Sequence, residues 1–444
     1  MYLLTRRDAL RTFGILSAAS LLPSCGALAT NAAKEGDYSI SGFVMPEEGG
    51  AHKATWMAYG ATAEAWGTSG NFGASRKIAR LDLLRIAANL SRFEPVKMLV
   101  NNSRDLKEAE SLFAQVKQEL NAGDNRRYTA TNVFSNGKAL PAIEAGGSVE
   151  FIVCPLNDLW VRDTAPIFVK NAQGEIAAVD FNFNGWGQED TGAAGWNKDE
   201  QKAENGIDDQ RVDEDQKVAQ FIINRTGVKA IDTWLVMEGG GIEVNGEGTA
   251  ICTESCILND NRNPNRSKAE IEAELDRVLG VKKVIWLKGR KAQDITDGHI
   301  DFYARFIDDH TVAYAVETNK GSSDYAVTKE NQALLSQATT ADGKRLKLVP
   351  LYAPNFDEVE ENVSARQWKD GKSKFNDESF AAGYIGYYVT DKCVLMAQFG
   401  DEKADLAAFE TLSKLYPNHR IMQIATDGLA NGGGTIHCAT QQQI

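Results

Sequence analysis

Three features of the sequence predict an α/β fold. Short runs of apolar and β-branched residues recur along the chain: VKMLVNN (96–102), SVEFIVCP (148–155), AAVDFNFN (177–184), TAICTESC (249–256), KKVIWLKG (282–289), TVAYAV (311–316), LKLVPLY (346–352), CVLMAQFG (393–400), RIMQIAT (420–426) and GTIHCAT (434–440). Several are almost continuously apolar, the pattern of strands covered on both faces. Helical periodicity separates them, in SRKIARLDLLRIAANL (75–90), RDLKEAESLFAQVKQEL (104–120), KAEIEAELDRVLG (268–280) and EKADLAAFETLSKLY (402–416). Such alternation marks α/β architecture. Glycine-rich approaches to strands also recur, in EAGGSVEFIV (144–153), MEGGGIEVNGEGT (237–249) and NGGGTIHCAT (431–440). They point to pseudo-repeats that each bring a loop to a common centre.

The first thirty residues are read apart from that fold. TRRDALRTFGILSAASLLPSC (5–25) places Arg6, Arg7 and Arg11 before an apolar run from Phe13 to Leu22. The run is too short to span a bilayer and has the form of a signal h-region. Residues 5–11 resemble the bacterial twin-arginine export motif, with Ala9 where phenylalanine is usual. LLPSC resembles a lipoprotein cleavage box with Cys25 as the lipidated residue; Pro23 makes that box imperfect, and plain cleavage near ALATNA (27–32) is the alternative. The expectation is export to the periplasm, or a lipid anchor at the cell envelope.

At 444 residues, with 43% hydrophobic and 25% charged side chains, the full chain has the composition of a globular enzyme. No stretch reads as a linker between two cores, so residues 38–444 are taken as one repeat-built domain. Its most polar part, 188–217, is read as a surface excursion. A net charge of −13 lacks the basic footprint of a nucleic-acid partner and suits a small cationic ligand. Whether the chain forms a homo-oligomer is not written in these features.

Beyond Cys25 the cysteines are Cys154, Cys252, Cys256, Cys393 and Cys438. An odd number in an exported chain implies a free thiol. CTESC (252–256) has no second cysteine pair at zinc-site spacing, so no metal is expected. Of the five histidines, His299 lies two residues from Asp301 in DITDGHIDFYARF. On a strand both side chains share one face and can line one cavity. Trp160, Arg162 and Asp163 precede an apolar run in NDLWVRDTAPIFV, and Glu238 precedes three glycines that let backbone approach closely.

Five blocks in one order, NDLWVRDTAPIF, FNFNGWG, MEGGGIEVNGEGTAICTESCILNDNRNP, DITDGHIDFYARF and GGGTIHCATQQ, resemble the agmatine deiminase and Porphyromonas-type peptidyl-arginine deiminase family. The likeness covers roughly residues 40–444. It implies the pentein fold of guanidine-modifying enzymes: a five-bladed α/β propeller with pseudo-five-fold repeats around a central active site. It also implies hydrolytic deimination of a guanidinium group without metal or organic cofactor. Carried over by position, Cys438 is similar to the nucleophile and His299 to the acid/base. Asp163 and Asp301 are similar to the guanidinium-gripping carboxylates, and Glu238 to the acid that orients the histidine. Two carboxylates suit the edges of a planar cation, and a thiolate suits attack on its poorly electrophilic carbon.

The preferred substrate from this resemblance is agmatine, giving N-carbamoylputrescine and ammonia; peptidyl arginine is the alternative, and an exported guanidine-binding protein without catalysis the reading from another class. Trp160, Trp186 and the acidic excursion are expected to face the substrate's ammonium end. His437, alternating with Cys438 on a final strand, is read as structural, with Thr440, Gln441 and Gln442 holding the segment in place. One departure stands out: GYIGYY (383–388) has Gly386 where agmatine deiminases carry asparagine.

Overall fold

Five separate sheets share one three-strand plan: a first strand antiparallel to a second, and a second parallel to a third. One contains β5 (Ile167–Lys170), β6 (Ile176–Val179) and β7 (Lys229–Ile231). The next has β8 (Ile242–Val244), β9 (Thr249–Thr253) and β10 (Lys283–Leu287). A third has β11 (Ala304–Phe306), β12 (Thr311–Val316) and β13 (Lys347–Tyr352). The fourth has β14 (Tyr388–Val389), β15 (Cys393–Gln398) and β16 (Arg420–Ala425), extended by β3 (Phe134–Ser135). The fifth joins distant parts of the sequence: β17 (Gln441–Gln443) pairs with β1 (Ala54–Tyr59), which runs parallel to β2 (Val96–Val100), with β4 (Val149–Val153) outside it. The computed structural model describes residues 42–68, 70–122, 133–137, 139–187, 211–359 and 380–444. The segment 1–30 with Cys25, and residues 188–210 of the polar excursion, lie outside the described residues.

The plan follows from chain connectivity. Antiparallel neighbours need only a tight turn, whereas a parallel pair needs a crossover. A helix supplies it in every unit: α1 (Gly70–Leu90) between β1 and β2, α3 (Val218–Thr226) between β6 and β7, and α4 (Lys268–Leu279) between β9 and β10. Likewise α5 (Asp324–Gln337) links β12 to β13 and α6 (Glu402–Leu415) links β15 to β16, while α2 (Ser103–Ala122) follows β2. Helix α4 shows the local logic. Ser267 and Glu270 form a reciprocal capping box at its start, and Gly280, at φ 69°, ends it. Middle strands β1, β9 and β15 are buried along their whole length, which is why their sequences read as unbroken apolar runs.

The structure departs from the sequence reading in several places. Residues 299–301 are not a strand: Ile300–Phe302 is a 3-10 turn. Asp297 and Gly298 hold positive φ angles of 59° and 83°, and Thr296 Oγ1 accepts the His299 N–H at 3.0 Å, so the chain coils instead of extending. GTIHCAT likewise forms a 3-10 turn, His437–Ala439, and extends only at β17. TAICTESC leaves the strand after Thr253 to enter a helical turn, Glu254–Ile257. Helices α3 and α5 were not legible in the sequence; α3 begins directly after Lys217, the end of the expected excursion.

Strand β17 is a clasp. It adds its ladder to β1, and two of its side chains reach inward: Trp56 Nε1 donates to Gln443 Oε1 at 3.1 Å and Arg162 Nη1 to Gln442 Oε1 at 2.9 Å. At roughly 1 kcal/mol per buried hydrogen bond, deleting residues 441–444 should cost ~3–5 kcal/mol. Urea unfolding measures this, and an unchanged midpoint would show that the fifth sheet holds without the clasp.

Candidate active site

In four of the five units, a tight turn just before the first strand carries a residue singled out in the sequence. Asp163 lies in Val161–Thr164 ahead of β5, and Glu238 opens the Gly239–Gly241 turn ahead of β8. His299 and Asp301 lie at the turn ahead of β11, and Cys438 at the turn ahead of β17. Repetition of one position in the plan therefore brings together residues far apart in sequence. All five side chains are buried.

Asp163 is fixed on both oxygens: Trp186 Nε1 donates to Oδ2 at 3.0 Å and the Gly240 N–H to Oδ1 at 3.3 Å. Burial, helped by the nearby charges of Glu238 and Asp301 and opposed by His299, pushes its carboxyl up to about 6. Asp301 is held differently. Its Oδ2 receives His437 Nδ1 at 2.8 Å and lies 3.7 Å from Cys438 Sγ. Burial alone would raise the Asp301 pKa, but the hydrogen bond and charge of His437, aided by His299 and Arg162, keep it below the ordinary value. Its Oδ1 is buried and has no hydrogen-bond partner among the described residues. A buried carboxylate oxygen left bare is costly, and this atom keeps its full capacity to accept a donor.

His299 presents its two nitrogens to different surroundings. Nε2 is 3.1 Å from Glu238 Oε2, and Nδ1 is 3.8 Å from Asp163 Oδ1. Burial disfavours the imidazolium, yet Asp163, Cys256 and Glu238 together raise the His299 pKa well above 6.5. Glu238 is anchored in turn by Arg262, whose Nε lies 2.9 Å from both carboxylate oxygens. Despite burial this pairing holds Glu238 down to about 2. Arg262 Nη1 also reaches Asp297 Oδ2 at 2.9 Å. Cys438 is 6% exposed. Burial and the charges of Asp301 and Asp163 raise its thiol well above 9, against a contact of 3.4 Å from Thr435 Oγ1.

Between these groups lies Gly240. A methyl group built there would stand 2.5 Å from His299 Nδ1 and 3.1 Å from both Asp163 Oδ1 and Asp301 Oδ2. The absent side chain is thus part of the space around which imidazole and carboxylates converge. Gly386 plays a comparable role one layer away: a Cβ would fall 2.1 Å from Thr435 Oγ1. The missing side chain at Gly386 thus makes room for a threonine in contact with the cysteine.

The tryptophans sit deeper than the sequence reading placed them. Trp186, 1% exposed, spends its indole N–H on Asp163 and packs edge-on against Phe183 at 5.0 Å. Trp160 stacks on Trp66 at 6.3 Å. His437 is not turned away from the centre, because a 3-10 turn does not alternate faces as a strand does. Glu48, Arg262, Asp297 and Arg305 were not singled out in the sequence, and Cys256 was weighed there only as a metal ligand. Cys256 Sγ lies 3.6 Å from Glu238 Oε2, and Glu238, Cys256 and His299 offer O, S and N atoms within 4.8 Å of one another. The guanidinium of Arg262 on both Glu238 oxygens already supplies the cation that such a triangle would seek. The five described cysteines are buried free thiols.

The family description Porphyromonas-type peptidyl-arginine deiminase matches residues 44–443. A curated relative, agmatine deiminase of Medicago truncatula, is 31% identical over 92% of this chain and 98% of its own length. Agmatine deiminase of Pseudomonas putida is 30% identical over 90% of this chain and 95% of its own. Among solved structures, agmatine deiminase of Enterococcus faecalis superposes with a TM-score of 0.71 at 28% identity, covering 90% of this chain and 96% of that one. These likenesses extend over all five sheets and assign the α/β architecture to the pentein class. This chain belongs to the Porphyromonas-type peptidyl-arginine deiminase family, together with its agmatine deiminase members.

Proposed function

We propose that the protein hydrolyses the guanidinium group of agmatine, giving N-carbamoylputrescine and ammonia, with Cys438 as nucleophile. The observation that carries this reading is the Asp301 carboxylate, whose Oδ2 faces Cys438 Sγ and, with Asp163, the space at Gly240, and whose buried Oδ1 has no partner among the described residues. A guanidinium in that space would donate to Asp301 and Asp163 from its edges and expose its central carbon to sulfur. In the empty site the thiol is protonated; a bound cation favours the thiolate, and the released proton leaves to solvent. The thiolate attacks the carbon. His299, with Nε2 occupied by Glu238, gives a proton from Nδ1 to the departing nitrogen, and ammonia leaves a thiouronium. The same nitrogen then takes a proton from water, whose oxygen bonds to the carbon as the C–S bond breaks, freeing the ureido product and Cys438. Arg262 and Glu238 keep the imidazole oriented throughout.

The substrate assignment rests on the relatives and on the electrostatics of the site. Glu238 and Glu48 are paired with arginines, whereas Asp163 and Asp301 are buried at the centre without one in ion-pair contact among the described residues; the negative field of these two aspartates favours a cationic ligand and opposes a carboxylate. We also read the five units as the blades of one ring around this centre, closed by β17 on β1, a closure that the truncation of residues 441–444 probes. The segment 1–30 we read as a twin-arginine export signal, on its Arg6-Arg7 pair and the apolar run to Leu22. In a twin-arginine-competent bacterial host, Arg6→Lys with Arg7→Lys should retain the full chain in the cytoplasm. Recovery of that variant in the periplasmic or envelope fraction would refute the signal.

Colorimetric detection of ureido product tests the activity. Agmatine should be preferred over free arginine by at least ~100-fold in kcat/KM, about 2.7 kcal/mol, and Cys438→Ser should remove turnover while the protein stays folded. Faster turnover of internal peptidyl arginine would move the assignment to protein deimination; tight agmatine binding without ureido product would make the chain a capture protein.

The pH dependence has a definite sign. Asp163 must be ionised to grip the cation and its carboxyl is raised to about 6. Thus kcat/KM for agmatine should fall as pH drops below about 6, approaching tenfold per unit. A flat profile from pH 7 to pH 5 would contradict the role given to Asp163.

A further inference from the structure

His437 stands in a chain of buried charges that ends at the site. At its far end Arg305 is held by Glu243, with Nε 2.8 Å from Oε2, and donates Nη2 to Glu48 Oε1 at 2.8 Å. Arg162 Nη2 meets the other Glu48 oxygen at 2.9 Å, and the Val389 N–H reaches Oε1 at 2.9 Å. His437 Nε2 shares Glu48 Oε2 at 2.9 Å, and its Nδ1 bonds Asp301 Oδ2 at 2.8 Å. The imidazole is thus held at both nitrogens, while its backbone carbonyl accepts Arg162 Nε at 3.3 Å and its N–H reaches the Gly386 carbonyl at 3.1 Å. This leaves the ring little freedom to rotate.

The consequence lies at Asp301. With Oδ2 bonded to His437 the carboxylate is fixed in its plane, with Oδ2 also facing Cys438 Sγ and the space at Gly240 and with Oδ1 free of any partner among the described residues. We propose that His437 is a positioning residue: anchored by Glu48, it fixes the rotamer of Asp301 and so sets that carboxylate against the substrate's guanidinium. The role deepens the deiminase reading and rests on it. It also makes Glu48 a tie between the amino-terminal segment, four units and the site, since its contacts come from residues preceding β5 and β17, from within β11 and from within β14.

Two substitutions separate this role from general support of the charge network. Asparagine places an amide nitrogen where His437 Nδ1 stands and can still donate to Asp301, but cannot reach Glu48. Glutamine reaches the Nε2 position and keeps Glu48, but leaves Asp301 without its donor. His437→Asn should therefore retain kcat/KM for agmatine within ~10-fold, whereas His437→Gln should lose at least ~100-fold, mostly through KM, a loss of the size seen when a buried charge pair is cut. The reverse order, or equal losses, would show that His437 serves the Glu48 network alone and overturn the proposal. Either variant decides if only one folds: an inactive His437→Asn or a fully active His437→Gln refutes it. Alkylation of Cys438 by cationic chloroacetamidine relative to neutral chloroacetamide reads the same grip without turnover. That ratio should drop in the glutamine variant and persist in the asparagine variant, even if agmatine proves not to be the substrate; a ratio unchanged by glutamine overturns the proposal.

Discussion

Burying carboxylates is the constraint on which the centre of this protein depends. Removing an ionised carboxylate from water is costly unless a cation or several hydrogen bonds replace the solvent. Glu238 has Arg262, and Glu48 has both Arg162 and Arg305. Asp163 and Asp301 have no arginine or lysine in ion-pair contact among the described residues; they lean on His299 and His437. The protein thus satisfies its outer carboxylates completely and the inner pair incompletely. Their opposite shifts, Asp163 upward and Asp301 downward, record how much help each receives. What the inner pair lacks is a planar cation with donors on its edges.

The fold solves a placement problem that one local motif could not. Each sheet begins after a tight turn, and turns from different sheets contribute the acid, the base and the thiol. Such turns leave little room, so the residues between the functional groups are reduced to backbone. At Gly240 a single added carbon would collide with the imidazole and press on both aspartates. Precision here comes from packing turn against turn, with rigid sheets behind them.

Much of this was legible in the sequence, and the missing part has a common cause. Cys438, His299, Asp163, Asp301 and Glu238 lie in short blocks whose neighbours, glycine and aromatic residues, mark them out. Glu48 lies in MPEEGG (45–50), beside Glu47 and with nothing local to distinguish it. Its partners Arg162, Arg305 and His437 are 114, 257 and 389 residues away, and no periodicity reports such pairings. Arg262 is similarly mute until Glu238 is seen against it. The reading of His299–Asp301 and of GTIHCAT as strands failed for another reason. Alternation counts residues along an extended chain, and side-chain capping by Thr296 or coiling at His437–Ala439 breaks the count. The helix at Asp324–Gln337 was lost because its apolar face is narrow, with few buried residues to set a period.

The pairing of β17 with β1 has a bearing on how the molecule is made. Trp56 and Gln443, joined in that sheet, are 387 residues apart. Loop closure over such a distance costs entropy that local contacts cannot repay, and contacts of wide sequence separation are the slow ones to form. Each unit with its own hairpin and crossover can gather early; the sheet that carries the thiol turn has to wait for the two distant segments to meet. A half-assembled chain would then hold its aspartates and its cysteine apart. Chemical competence and topological completion would arrive together.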